Sequence, residues 1–127
     1  MTEQLESALA DEFPFMQRLP EHGGCWFGID CGDGWYSLLR EMCGEIAAAY
    51  RAAGRPVDLT VEQVKEKYGQ LQFYYHPWDP MIDDIIGRYE ERSAGVCEVC
   101  GAPGCLRTDL PWIQTLCEEH YARKKDG

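Results

Sequence analysis

Cys97 and Cys100 are separated by two residues, and after a gap of sixteen more, Cys117 and His120 repeat that separation. Two such ligands reach one cation when the backbone folds into a tight knuckle, and Gly101, directly after Cys100, tolerates the turn a knuckle needs. In the second half-site, Thr115 and Glu118 have the spacing of a capping box, which predicts that Cys117 and His120 lie on one face in the first turns of a helix. A helix N-terminus also favours thiolate over thiol. The pattern predicts a closed Cys3His set of Cys97, Cys100, Cys117 and His120 holding one structural zinc ion, in the knuckle, strand pair and helix order of a treble-clef finger. Cys105, between the half-sites, either replaces one ligand or is a small apolar residue of the loop, the commoner role of a lone cysteine. His22, Cys25, Cys31 and Cys43 could in principle make a second site, but their spacings match no familiar ligand pattern, and packing or turn roles are expected of them.

Four protein ligands leave no position open for water, so such a metal holds a fold and does no chemistry. The His-x-Glu that a zinc deaminase needs is absent from the sequence. The chain has no asparagine and only three histidines, where treble-clef nucleases carry extra ones to bind a catalytic ion. There is no Gly-x-Ser-x-Gly, no phosphate loop and no His-Glu-x-x-His. His76, ending an aromatic run before Pro77, reads as a structural histidine. The expectation is a protein that is not an enzyme.

The finger needs a scaffold, and periodicity supplies one. Leu5, Leu9 and Phe13 recur every four residues behind Thr2, a helix over 2–13. The apolar run in CWFGID could be a strand, with Asp33 placed to cap the helix after it. From Trp35 the apolar positions 35, 38, 39, 42, 46, 49 and 50 form a helical stripe that Gly54 and Pro56 stop. Val57, Leu59 and Val61 alternate as a strand does, although Thr60 to Gln63 also fits a capping box; a β-hairpin turning near Lys67–Gln70 is the favoured reading. Leu71, Phe73 and Tyr75 mark one face of its return strand. Asp79 and Pro80 start another helix, with Ile82, Ile85, Ile86 and Tyr89 inward. The fold class is α+β: a single small domain of helices, a β-hairpin and a C-terminal treble-clef-like finger, with 1–94 as the core and 95–127 as the finger packed on it.

Apolar residues make up 45% of the 127, enough for one packed core. The start MTEQLESALADEF carries acids where a signal peptide is basic, and no run approaches a membrane span, so a cytoplasmic protein with no membrane partner is expected. Net charge is −10, with 11 acids against 4 bases in residues 1–64 and 11 against 8 in 65–127. That balance counts against nucleic acid and fits a basic protein partner better. Asp11, Glu12 and Asp30 from the acidic half, with Asp83, Asp84 and the loop residue Trp78, are the candidate partner contacts. Glu90, Glu91 and Glu98 are expected on solvated faces. Trp26, Trp35, Trp78 and Trp112 read as core anchors, Trp78 alone also as an interface residue.

Three blocks taken in order, DGWYSLLREMCGEI at 33–46, QVKEKYGQLQFYY at 63–75, and CEVCGAPG with WIQTLCEEH at 97–120, resemble a family of small, functionally uncharacterised proteins encoded by bacteria and their phages. The resemblance spans most of the chain after residue 30. It implies the fold, the zinc ligands Cys97, Cys100, Cys117 and His120, and a mobile-element setting. Lys65, Glu66, Lys67, Tyr68 and Gly69 carry over as a motif of unassigned purpose, for which hairpin geometry with cross-strand charge pairing is the plain explanation. The expected function is a non-catalytic accessory protein that binds and inhibits a host protein, such as a defence nuclease or CRISPR effector subunit. The alternative is a zinc-finger regulator that sets Arg123, Lys124 and Lys125 on phosphates.

Overall fold

The computed structural model describes residues 1–17 and 28–126. Thr2 accepts the Leu5 N–H at 3.4 Å and opens α1 (Glu3–Glu12), which buries Leu9 and runs into a 3₁₀ turn, Pro14–Met16. The strand expected around Ile29 is only two residues, β1 (Ile29–Asp30). The earlier part of that apolar run lies outside the described residues, with His22, Cys25 and Trp26.

A 3₁₀ turn, Asp33–Trp35, leads into α2 (Tyr36–Ala52), which buries Leu38, Leu39, Met42, Cys43, Ile46 and Tyr50, the stripe the spacing predicts. Asp33 does not cap this helix. Its carboxylate accepts the Thr2 N–H at 2.9 Å and ties the start of α1 to the start of α2. Asp79 accepts the Met81 N–H at 2.9 Å and opens α3 (Pro80–Ser93), whose buried Ile82, Ile85, Ile86 and Tyr89 face α2 and the sheet.

β2 (Thr60–Lys67) and β3 (Gln70–His76) form the hairpin, so the strand reading prevails over a short helix. Val61 and Val64 are both buried although strict alternation would put them on opposite faces. The register resolves this: Val61 pairs with Tyr75 and Gln63 with Tyr74, leaving Glu62 as the extra residue of a bulge. β1 adds to β2 in parallel, giving the order β1-β2-β3.

Side chains close both edges of this sheet. On β3 the Leu71 N–H donates to Ser93 Oγ at 2.9 Å and the Phe73 N–H to the Glu90 carboxylate at 2.9 Å. On β1 the Ile29 N–H donates to Glu6 at 2.6 Å. Unpaired edge groups invite foreign strands, and here α1 and α3 occupy them. Glu90 is therefore not on a solvated face as expected; it is half-buried, and that burial pushes its carboxyl up while the Phe73 N–H opposes the shift.

Beyond α3 lie a second, two-stranded sheet of β4 (Cys105–Arg107) and β5 (Gln114–Leu116), and α4 (Glu118–Asp126). The protein is a small α+β domain, with four α-helices and two sheets among the described residues. Among the described residues, no helix is long and apolar enough to cross a membrane.

Ser93 is fully buried and supplies the partner of the Leu71 N–H, itself buried. Ser93→Ala should lower the unfolding free energy by about 1–3 kcal/mol, the usual effect of orphaning a buried donor, with an unchanged urea m-value.

Candidate metal centre

Cys97 to Cys100 forms the knuckle. The Gly101 N–H returns to the Cys97 carbonyl at 2.9 Å, and Gly101 takes a φ of +82°, which a side chain would resist. The Cys97 N–H donates to Ala102 O at 2.8 Å, and Val96 bridges Pro103, so the turn is held from both sides.

The second half-site is built differently from the sequence expectation. Thr115 lies inside β5, fully buried, and its hydroxyl donates to Gly69 O at 2.6 Å. It is not a helix cap. α4 starts at Glu118, and Cys117 occupies the position before it: the His120 N–H points at Cys117 Sγ at 3.5 Å, and the Tyr121 N–H donates to Cys117 O at 2.9 Å. The Cys117 thiol itself caps the helix that carries His120.

Cys97, Cys100, Cys117 and His120 come together, with their ligand atoms all within 4.8 Å of one another. Cys100 Sγ lies 3.8 Å from Cys117 Sγ, and His120 Nδ1 lies 3.7 Å from Cys97 Sγ and 3.2 Å from Cys117 Sγ. A tetrahedron with metal–sulfur bonds of about 2.3 Å has edges of about 3.8 Å, and these three separations lie near that length. The four donors could hold a metal ion. Burial pushes the Cys97 thiol up, but the backbone N–H groups of Cys117, Cys100 and Val99 outweigh it and bring the group down to about 6. The Cys100 thiol is drawn down by the Ala102 N–H, yet ends raised through burial and its two sulfur neighbours. One thiolate forms readily and the next is opposed by it, an electrostatic arrangement that a cation relieves.

Glu98, between two ligands, joins this centre to the rest of the protein. Its N–H donates to Thr115 O at 3.0 Å, its carbonyl accepts the Gly34 N–H at 2.8 Å, and its carboxylate accepts the Gly32 N–H at 2.9 Å. Trp35 Nε1 adds a bond to Val96 O at 2.8 Å. Glu98 is thus no solvated acid, and burial, with the Gly32 N–H opposing, raises its carboxyl. On the far side, Arg107 lies 4.2 Å from the Tyr121 ring centre and donates to Leu116 O at 3.2 Å. Asp109 accepts from Lys125 at 2.8 Å and from the Tyr121 hydroxyl, which together hold its carboxyl down to about 2.

Cys105 is exposed in β4 opposite Leu116 and is not among the converging donors. Cys31 and Cys43 are buried in the main core, where burial pushes the first up to about 12 and the second further up. His76 is exposed and pairs with Glu62 across the hairpin.

The acidic contact candidates do not converge in the same way. Asp11 and Glu12 end α1, Asp30 ends β1, Trp78 precedes α3, and Asp83 and Asp84 lie in its first turns. Arg40 grips Glu12 at 2.7 Å and 3.2 Å, lowering its pKa, while Arg88 approaches Asp84 at 3.6 Å and Tyr75 donates to Asp83 at 3.3 Å. Trp35 is the core anchor expected, but Trp78 is 68% and Trp112 63% exposed. Each sits beside a proline in a connecting segment, Pro77 and Pro111, where neither helix nor strand turns the ring inward.

No family model, no curated protein and no solved structure matches this chain.

The donor geometry predicts how cysteine variants behave in cobalt(II) titrations followed by thiolate charge-transfer absorption. Cys105→Ser should match the wild-type chain, whereas Cys97→Ser and Cys117→Ser should lose most of the signal. Affinity should fall as the solution is acidified, because binding must displace the thiol protons.

Proposed function

We propose that Cys97, Cys100, Cys117 and His120 hold one structural zinc ion and that the chain is a non-catalytic accessory protein that binds and inhibits another protein. The observation that carries the metal half is the converging donor set: three sulfurs and one imidazole nitrogen lie within 4.8 Å of one another, three of their separations being 3.2 to 3.8 Å. Soft thiolates with an imidazole suit zinc, and four protein donors leave it no position for substrate. Zinc supplies folding energy there; the residues around it orient the ligands and attach the finger.

The partner half rests on surface chemistry. A chain of net charge −10 that leaves Trp78 and Trp112 in solvent has both the charge to meet a basic partner and aromatic anchors of the kind that dominate protein interfaces. In the mobile-element setting that the sequence resemblance implies, the partner class is a host defence nuclease or CRISPR effector subunit. A nucleic-acid regulator is the weaker reading. Of the three basic side chains offered to phosphate, Arg123 is paired with Glu119 at 2.6 Å and Lys125 with Asp109 at 2.8 Å.

Affinity capture of the tagged chain from bacterial lysate, with metal analysis of the same eluate, tests both halves. One zinc per chain and a stoichiometric nuclease or CRISPR subunit is the expected result. Substitution of Asp11 and Asp30 by Asn, Glu12 by Gln, and Trp78 by Ala should weaken retention. An eluate with no zinc rejects the metal assignment, and one with zinc but no tight protein partner rejects the binding role.

A further inference from the structure

The hairpin tip carries a residue its geometry does not favour. Tyr68 and Gly69 connect β2 to β3, and both have positive φ, +52° and +84°. A two-residue turn of this kind ordinarily places Asn or Gly first, because a bulky side chain crowds the backbone there. Tyr68 is both strained and left in solvent, 72% exposed. It gains no burial that offsets the strain, and such outliers concentrate at sites of function.

The tip is also fixed in place. Glu66 accepts the Gly69 N–H at 2.9 Å, Thr115 donates to Gly69 O at 2.6 Å, and Gly69 is so close to Leu106 and Ile113 that a side chain there would collide with Leu106. Tyr68 is one residue from this contact on the hairpin side, and Trp112 is one residue from it on the finger side. Leu106, in the contact, is itself 42% exposed. Three exposed side chains, Tyr68, Leu106 and Trp112, thus lie in this fixed junction or next to it in sequence.

The junction carries two lysines that form no ion pair, as Arg51 and Lys124 also do not among the described residues. The cross-strand charge pairing expected of the Lys65–Gly69 motif does not occur: Lys65 faces Gln72, Glu66 faces Leu71 and Lys67 faces Gln70. Asp30 neighbours Lys65 in register without forming an ion pair. Among the described residues, six arginines and Lys125 are ion-paired, whereas Lys65 and Lys67 contact only the rings of Tyr74 and Tyr68, at 5.7 and 5.9 Å.

We propose that the hairpin tip and the β4–β5 finger together form a docking surface for a protein segment that brings an apolar side chain to Tyr68, Leu106 and Trp112 and a carboxylate to Lys65 or Lys67. This rests on the protein-binding role above and adds to it a second surface with its own partner chemistry. Rigid, exposed aromatics suit such a contact because little freedom remains to be lost on binding. Single-stranded nucleic acid fits poorly, because two lysines in a chain of net charge −10 offer phosphates little. The surface depends on the metal centre, because Leu106, Trp112 and Thr115 all belong to the finger.

The test is selection of displayed random peptides on the immobilised, zinc-loaded chain, followed by anisotropy titration of the enriched peptides. Peptides with Asp or Glu beside an aromatic or aliphatic residue are expected. Tyr68→Asn, which suits the turn, should weaken them by about tenfold or more, as loss of a central aromatic does, without lowering the thermal midpoint. Lys65→Glu combined with Lys67→Glu should do the same to binding. The proposal is overturned if no peptide is enriched, if Tyr68→Asn leaves binding intact or lowers the midpoint, or if the same residues prefer a labelled single-stranded oligonucleotide. If the chain captures a lysate protein as strongly with Tyr68→Asn as without it, and no peptide is enriched, this surface fails while the protein-binding role stands. If the wild-type chain captures nothing and enriches nothing, both fail.

Discussion

Three cysteine sulfurs and an imidazole nitrogen are held within 4.8 Å of one another, and the zinc ion proposed for them would be the constraint on which the C-terminal third depends. The apolar cluster around them is small: Cys97, Leu116 and Cys117 are buried, with Ala102, Leu110 and Tyr121 beside them. A cluster of that size cannot order some thirty residues against their conformational entropy, which is why small units of this kind rely on a metal or on disulfides. A cation at the centre would turn these close-set donors into the strongest constraint in the finger. Glu98 and Thr115 then transmit that constraint outward, the first to Gly32 and Gly34 ahead of α2, the second to Gly69 at the hairpin tip.

The larger part of the protein needs no such help. Trp35, Leu39, Met42, Ile46, Val64, Leu71, Ile82 and Ile86 form one continuous core between α2, α3 and the sheet, and α1 and α3 close the sheet edges. The molecule thus joins a core stabilised by apolar burial to a finger organised around polar ligands. Their seam includes the Trp35 indole and the carbonyl of Val96, next to the first ligand. Under the proposed function, surfaces do the work: a bound metal would present them and take no part in a reaction.

Features with a local cause were legible in the sequence. The α2 stripe, the Asp79–Pro80 start of α3 and the four ligands are each set by residues a few positions apart. What was misread depends on distant neighbours or on ambiguous patterns. Thr115 and Glu118 have capping-box spacing, but β5 claims Thr115, and Cys117 is left to cap α4 with its own sulfur. Glu90 and Glu98 look like solvated acids until tertiary contact brings them the N–H groups of Phe73 and Gly32. Val61 and Val64 share a face only through a bulge that alternation cannot reveal. Tyr68 stood in a motif already noted, and the signal available was a bulky residue ahead of the glycine in a two-residue hairpin turn.

Hydrogen exchange followed by mass spectrometry, comparing metal-loaded and chelator-stripped chain, tests the central claim most directly. The account predicts that stripping removes protection from residues 95–126 and from the Gly69 turn while α2 and α3 keep theirs. Unchanged protection across the finger would contradict the claim that the four ligands organise it, and equal loss in α2 and α3 would contradict a core that stands without the metal.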